Sequence, residues 1–289
     1  MGRAISPLQE IVMVAIPERN VILEKLEQGE VENNPRPYLG YSMIGEKCLR
    51  YLQYYHRMAF TNTITNRINR LFNFGKHMED VFNEDLQNIG LKIDSAQKEM
   101  VGYKGHWKGH IDGIAIKVPT AEKTPHLLEY KTHNDDQFKL LMRHKEVKKS
   151  HPKHYWQSTA YMGHLKLTRT LYLGYNKNDS AYYIERIHFN KDDFEELEFK
   201  SRAVVDNVKL FPRIGPGKES WHECRFCPAK QVCYNKAEPA RNCRTCQHVE
   251  VHDKGIWKCG HPSLKTPMKR SISEQEEACD LYKLDEELQ

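Results

Sequence analysis

Gly109-His110-Ile111-Asp112-Gly113 is followed fifteen residues later by Leu128-Glu129-Tyr130-Lys131-Thr132. In an extended strand, residues two apart share a face. Glu129 and Lys131 are therefore expected to project together, with Tyr130 on the opposite side and Asp112 on the preceding strand. Two carboxylates brought together from adjacent strands can hold a hard divalent ion, Mg²⁺ or Mn²⁺, through oxygen. A lysine beside them can orient a water, help to deprotonate it, or stabilise charge developing on a phosphate. With a metal polarising the phosphoryl oxygen, these parts suffice to hydrolyse a phosphodiester. Taken alone, the same three residues fit an ordinary charged pair on a solvated strand beside a capped turn.

The flanking pattern places this pair inside an α/β chain. Apolar residues Ile68, Leu71, Phe72, Met78, Val81, Phe82 and Leu86 recur at helical spacing across 66–89, which predicts one long amphipathic helix. Residues 98–118 alternate and are rich in Gly and β-branched side chains, predicting two strands around a turn at Gly102–Gly105, with a further short strand at 126–132. Helices are expected at 5–14, 21–28, 44–59, 137–165 and 191–210, and a hairpin at 169–175 and 181–189. Helix, strands, helix, strand pair, helix is an α/β order, a mixed sheet flanked by helices.

Three features strengthen the phosphodiesterase reading. His77 lies in the long helix upstream of the strands and could supply an imidazole ligand. Gln157 and Tyr161 are four residues apart and share one helix face. Arg143, Lys145, Lys148, Lys149 and Lys153, with Lys139, His144, His151 and His154, form a basic run just before them. Beside a carboxylate site such a run reads as a track for a phosphate backbone.

In order and spacing this set resembles the PD-(D/E)XK nuclease superfamily, in its RecB and AddB branch, over roughly residues 42–235. His77 matches the branch's helix histidine, Asp112 its G-x-x-D motif, Glu129 and Lys131 its E-x-K motif, and Gln157 with Tyr161 its Q-x-x-x-Y motif. The resemblance implies a restriction-endonuclease-like core. It implies metal ligation by His77, Asp112, Glu129 and the carbonyl of Tyr130, with Asp112, Glu129, Lys131, Gln157 and Tyr161 serving catalysis. The proline for which the superfamily is named is Ile111 here, a departure common in this branch.

Seven of the eight cysteines fall in the last quarter of the chain, in the short spacings of metal ligands rather than of a secreted disulfide framework. Cys224-x2-Cys227-x5-Cys233 supplies three thiols, and Cys48 stands alone far upstream. A lone cysteine is usually a small buried apolar residue. AddB-type nucleases and CRISPR spacer-acquisition nucleases, however, place one cysteine before the core and three after it. That resemblance implies a [4Fe–4S] cluster on Cys48, Cys224, Cys227 and Cys233; Zn²⁺ is the alternative for four thiolates. Cys243-x2-Cys246-x12-Cys259-x19-Cys279 fits a small Zn²⁺-binding module, with His248, His252 and His261 as rival ligands. The expected organisation is an N-terminal segment 1–41, a nuclease core 42–238 with its cysteine-ligated cluster, and a zinc-binding tail 239–289.

The formal net charge is +5, which permits nucleic-acid binding without establishing it. No apolar run reaches the length of a membrane span, and Met1-Gly2 with Ser6 meets the myristoylation pattern with nothing else pointing to a membrane. The expected function is a metal-dependent DNA exonuclease of recombination, repair or phage genome processing, without helicase motifs. DNA is the expected substrate, a single-strand annealing or other recombination protein the expected partner class, and the bacterial or phage-infected cytoplasm the expected location. Two alternatives stand beside it: a CRISPR-adaptation-type nuclease that trims DNA ends, and a zinc-finger nucleic-acid-binding protein with an inert nuclease core.

Overall fold

The structure is a computed structural model that describes residues 17–288; the helix expected at 5–14 and the Met1-Gly2 motif lie outside them. Helix α1 (Pro17–Glu27) and strand β1 (Glu30–Glu32) precede β2 (Leu39–Gly40) and helix α2 (Leu49–His56). Strand β3 (Thr63–Thr65) leads into the long helix α3 (Asn66–Asn88), followed by β4 (Lys92–Asp94), β5 (Glu99–Val101), β6 (Trp107–His110), β7 (Gly113–Ile116) and β8 (His126–His133). Helices α4 (Asp135–His144), α5 (Val147–Ser150) and α6 (Pro152–Leu165) lead to the hairpin β9 (Arg169–Asn176) and β10 (Tyr182–His188), then α7 (Lys191–Asp206) and the short α8 (Lys230–Tyr234). The chain ends in β11 (Val249–His252), β12 (Ile256–Cys259), β13 (Met268–Lys269) and α9 (Ile272–Glu277).

The central sheet has the order β10-β9-β8-β7-β4. It is antiparallel except for β8 and β9, which run parallel with Glu129 opposite Tyr172. Parallel neighbours need a crossover, and α4 to α6 provide it. Alternate residues of β8 point to opposite faces. Leu127 packs with Tyr161, Tyr172, Leu141 and Leu197 on the crossover side. Leu128 and Tyr130 pack with Met78, Phe82 and Leu86 of α3 on the other. The result is a mixed α/β layer structure with helices on both faces of the sheet.

Three expectations are corrected. The helix expected at 137–165 is three helices. Lys145 ends α4 in the left-handed region at φ 51°, and His151, held out of the helical region ahead of Pro152 at φ −136° and ψ 67°, separates α5 from α6. The apolar stripe of α3 is buried only at Met78, Phe82 and Leu86; Ile68, Leu71 and Phe72 are exposed because the first half of α3 runs beside α1, β1 and β3 rather than over the sheet, and Val81 is exposed on the side of the second half that faces away from the buried stripe. Residues 98–118 form three strands rather than two, and Asp112 lies in the bend where the chain leaves β6 in one sheet and enters β7 in another.

The C-terminal segment lies directly on this core. Its three-stranded sheet β11-β12-β13 covers the turn before β6: the Gly255 N–H donates to the Lys104 carbonyl at 2.7 Å, and a ring nitrogen of His106 hydrogen-bonds the His252 carbonyl at 2.7 Å. Ala240 N–H donates to the Ala59 carbonyl, and the Asn242 amide donates to the Met58 carbonyl, both at 2.8 Å. Gly105 sits at φ +77°, and a Cβ there would fall 2.5 Å from the Gly255 backbone nitrogen. Gly105→Ala should therefore cost about 2–4 kcal/mol, combining left-handed strain with a backbone clash. Chemical denaturation checks this; a wild-type midpoint would mean that the two segments do not meet here.

Candidate active site

Glu129 and Lys131 share the crossover face of β8, as their spacing predicts. Lys131 Nζ donates to Glu129 Oε1 and also to the Tyr130 carbonyl at 3.2 Å. Glu129 is almost fully buried, whereas a quarter of the Lys131 side chain stays open to solvent. From the β6–β7 bend, Asp112 Oδ2 accepts the Tyr130 backbone N–H at 2.7 Å, so the carboxylate is fastened to the strand that carries the other two groups.

Electrostatics follows from crowding acids in a dry place. Burial pushes Glu129 up to about 7; Lys131 opposes that rise and Asp112 adds to it. Asp112 is also raised by burial, against Lys131 and the Tyr130 N–H. Burial works against the Lys131 ammonium, yet Glu129, Asp112 and Glu79 outweigh it and raise its pKa. Glu79 is the residue that sequence reasoning missed. It projects from α3 toward the site, is raised by burial and by Asp112, and accepts a hydrogen bond from Gln97 at 2.8 Å. Its helical phase is the signal that could have found it: buried Met78 and Phe82 put Glu79 beside the sheet-facing side, whereas His77 is exposed. The structure does not bring His77 to the carboxylates.

Tyr161 donates to the His110 carbonyl at 2.8 Å, two residues before Asp112, and stacks on Tyr41 at 4.4 Å. This fixes the backbone that aims Asp112, and the hydroxyl fills the space where a Cβ at position 109 would stand. Gln157, on the same helix face, is half-buried and has no hydrogen-bond partner among the described residues. His154 lies one turn before Gln157. With His133 of β8 it brackets the Tyr172 hydroxyl, at 2.9 and 3.0 Å. That hydroxyl has one hydrogen, so it donates to one ring and accepts from the other. Burial, then His151 and Lys131, holds His133 down at about 3, so the ring is neutral beside Lys131.

The basic run is more paired than its sequence suggests. Lys148 meets Asp193 at 2.6 Å, Lys149 pairs with Glu146, and Lys153 pairs with Glu46. Arg143 and Lys145 are exposed, with no ion pair among the described residues.

The first cysteine quartet is gathered in space. Cys48 caps α2, its sulfur accepting the Tyr51 N–H at 3.4 Å. Burial raises Cys227 to about 11, and the charges of Cys48, Cys233 and Cys224 add to it, so the four thiols sense one another. Tyr51, Phe60, Ala229 and Val232 surround them with apolar surface. As placed, no three His, Cys, Asp or Glu side chains among the described residues form a finished metal-binding arrangement. The carboxylates and the thiols share neighbourhoods rather than coordination shells. The donor chemistry nonetheless fits two kinds of ion: hard oxygen ligands at Asp112, Glu129 and Glu79, and soft sulfur ligands at Cys48, Cys224, Cys227 and Cys233.

No family model and no curated protein matches the chain. Among solved structures, the chain is similar to an alkaline exonuclease (LHK-Exo) from Laribacter hongkongensis, at 16% identity and TM-score 0.46, over 60% of this chain and 88% of that one. The same protein in complex with dAMP matches at 13% identity and TM-score 0.42, over 58% and 86%. SSO0001 matches at 16% identity and TM-score 0.40, over 77% and 98%. These likenesses are loose, and the reading of the site rests on its own geometry.

Two outcomes are expected from measuring the Mn²⁺ concentration that half-saturates activity. A proton and a metal compete for Glu129, which is mostly ionised above its raised pKa and mostly protonated below it. The midpoint should rise about tenfold from about pH 8 to pH 6, as one-proton competition at a pKa near 7 requires. At fixed pH, Glu79→Gln should raise the midpoint more than His77→Ala does. The reverse order would move the ligand back to His77.

Proposed function

We propose that this chain is a divalent-metal-dependent deoxyribonuclease, acting from DNA ends as an exonuclease. One observation carries the reading: Asp112, Glu129 and Glu79 surround a single ammonium, Lys131, in a largely buried site. Fully ionised, that set has an excess of negative charge that protein groups leave uncompensated, and a Mg²⁺ or Mn²⁺ ion would offset it.

The carboxylates and the Tyr130 carbonyl would hold the ion. When bound, it supplies Lewis-acid polarisation of the scissile phosphate and lowers the pKa of a water. The chain's own residues do the rest. Lys131, held by Glu129 and the Tyr130 carbonyl, presents its ammonium to the phosphate oxygen that gains charge as water adds to phosphorus. Tyr161 and the Tyr130 N–H position Asp112. Gln157, half-buried and without a hydrogen-bond partner among the described residues, is free to bond substrate. Exposed Arg143 and Lys145, without an ion pair among the described residues, would meet the DNA backbone. A recombination protein that prepares or receives the cut strand would be a fitting partner.

We also assign a [4Fe–4S] cluster, with Zn²⁺ as the alternative, to Cys48, Cys224, Cys227 and Cys233. It would tie the start of the core to its end across 176 residues. Its role is structural, because hydrolysis moves no electrons.

Linear DNA labelled at an end should be degraded with Mn²⁺ or Mg²⁺, while covalently closed circles persist; equal loss of both would replace the exonuclease with an endonuclease. Protein purified without oxygen should be brown, and Cys48→Ala should lose iron and thermal stability together. A colourless protein with the same stability loss would assign Zn²⁺. Unchanged metal content and melting temperature would return Cys48 to a plain buried residue.

A further inference from the structure

The second cysteine quartet lies away from the carboxylates and does not depend on the nuclease reading. Cys243, Cys246, Cys259 and Cys279 line one cavity of about 60 Å³. They arrive from three places in the segment. Cys243 and Cys246 bracket a tight turn in which the Cys246 N–H donates to the Cys243 carbonyl at 3.3 Å. Cys259 ends β12, paired opposite Val249. Cys279 opens a turn closed by the Tyr282 N–H at 3.0 Å, and the strand after it bridges Cys246 at Leu284. All four are free thiols. Burial raises Cys243, with the charges of Cys279, Cys246 and Cys259 adding to the rise and Arg270 opposing it.

The donor set and its surroundings favour one kind of ion. Four thiolates in a small cavity suit tetrahedral Zn²⁺. The complex would carry two net negative charges, and Arg270 and Lys258 line the same cavity to offset them. Of the rival histidines, His252 hydrogen-bonds Glu250 at 3.0 Å, while His248 and His261 line the same cavity beside the thiols, His261 with its Nδ1 accepting the Ser263 N–H at 3.1 Å.

What the ion would secure is visible between the first two thiols. Arg244, flanked by Cys243 and Cys246, is 1% exposed. It donates to the His56 carbonyl at 3.1 Å, the Pro37 carbonyl at 3.0 Å and the Gln275 side chain at 2.7 Å, and its guanidinium lies 4.6 Å over the Trp257 ring. Arg57 returns the contact, donating to the Arg244 carbonyl at 3.1 Å and to Asp285 at 3.0 Å. No carboxylate among the described residues forms an ion pair with Arg244, and a cation buried in that way is tolerated only while its hydrogen bonds hold. Among the described residues after 243, the buried apolar side chains are only Cys246, Trp257 and Leu288, too few to hold the segment by packing.

We propose that Cys243, Cys246, Cys259 and Cys279 bind one Zn²⁺, and that this ion pins Arg244 beneath the core so that the C-terminal segment and the core fold as one unit. Through Trp257 and His106, the pinned segment supports the turn that feeds β6 and the bend at Asp112.

The test uses the full chain. Metal analysis of wild type should exceed that of the Cys259→Ser/Cys279→Ser variant by one zinc per chain. Cys48→Ala reconstituted with Co²⁺ should show thiolate-to-cobalt charge transfer and tetrahedral d–d bands, which are absent once Cys259→Ser and Cys279→Ser are added to it. Should that variant not fold, chelated Cys48→Ala back-titrated with Zn²⁺ should recover its tryptophan fluorescence at one equivalent. Equal zinc in wild type and variant, a Cys243–Cys279 disulfide by mass, or no response to back-titration would overturn the site. Arg244→Met should keep the zinc but melt near the temperature of the chelated protein. Melting at the wild-type temperature would overturn the pinning.

Discussion

Glu129 is a carboxylate buried in the middle of a strand, and the rest of the site is arranged around that cost. Leaving a buried charge unpaired costs about 3–5 kcal/mol, so Lys131 must sit within reach. Lys131 can do so only because β8 puts residues two apart on one face. The pair then attracts two further acids rather than being closed off by a second cation. Such an arrangement is poor for stability alone, since an apolar pair of the same volume would pack there at lower cost. It becomes sensible when a divalent ion completes it.

Geometry around this pair is held by neutral groups. The Tyr130 N–H, the Tyr161 hydroxyl and the stacked Tyr41 ring fix Asp112 from both strands and from α6. Tyr172 and its two neutral imidazoles close the other end of the face without adding charge beside Lys131. Further out, the chain is stitched by contacts distant in sequence. Gln53 of α2 bonds the backbone at 207, 209 and 211, and Arg57, Asn242 and Arg244 lock residues 56–58 to the C-terminal segment. Both cysteine quartets lie along these seams, where apolar packing is thin and a soft-metal clip adds most.

Much of this was legible in the sequence, for identifiable reasons. Period-two spacing gave the face shared by Glu129 and Lys131, helical phase gave α3, and the strand and turn pattern gave β8 and the hairpin between 169 and 188. The breaks at Lys145 and His151 were missed because a left-handed cap without glycine leaves no compositional mark, although Pro152 did. Glu79 was missed, and His77 preferred, because residue type was weighed ahead of phase: the burial of Met78 and Phe82 decides which neighbour faces the sheet. The basic run was read as open cations, and only the fold shows Asp193, Glu146 and Glu46 opposite Lys148, Lys149 and Lys153. The boundary at 239 followed cysteine spacing, which carries no information about Arg244 reaching His56 and Pro37.

The central claim is that the buried acids, with Glu129 foremost, make this site a metal-dependent phosphodiesterase. Glu129→Gln keeps the shape and the hydrogen-bonding oxygen but cannot ionise, so it isolates the charge. The most direct measurement is release of label from end-labelled DNA by wild type and by this variant, each purified free of host nuclease, across a Mn²⁺ series. The account predicts metal-dependent cleavage by wild type and a loss of at least about a hundredfold in the variant, with its circular dichroism unchanged. Cleavage by Glu129→Gln at the wild-type rate would contradict it.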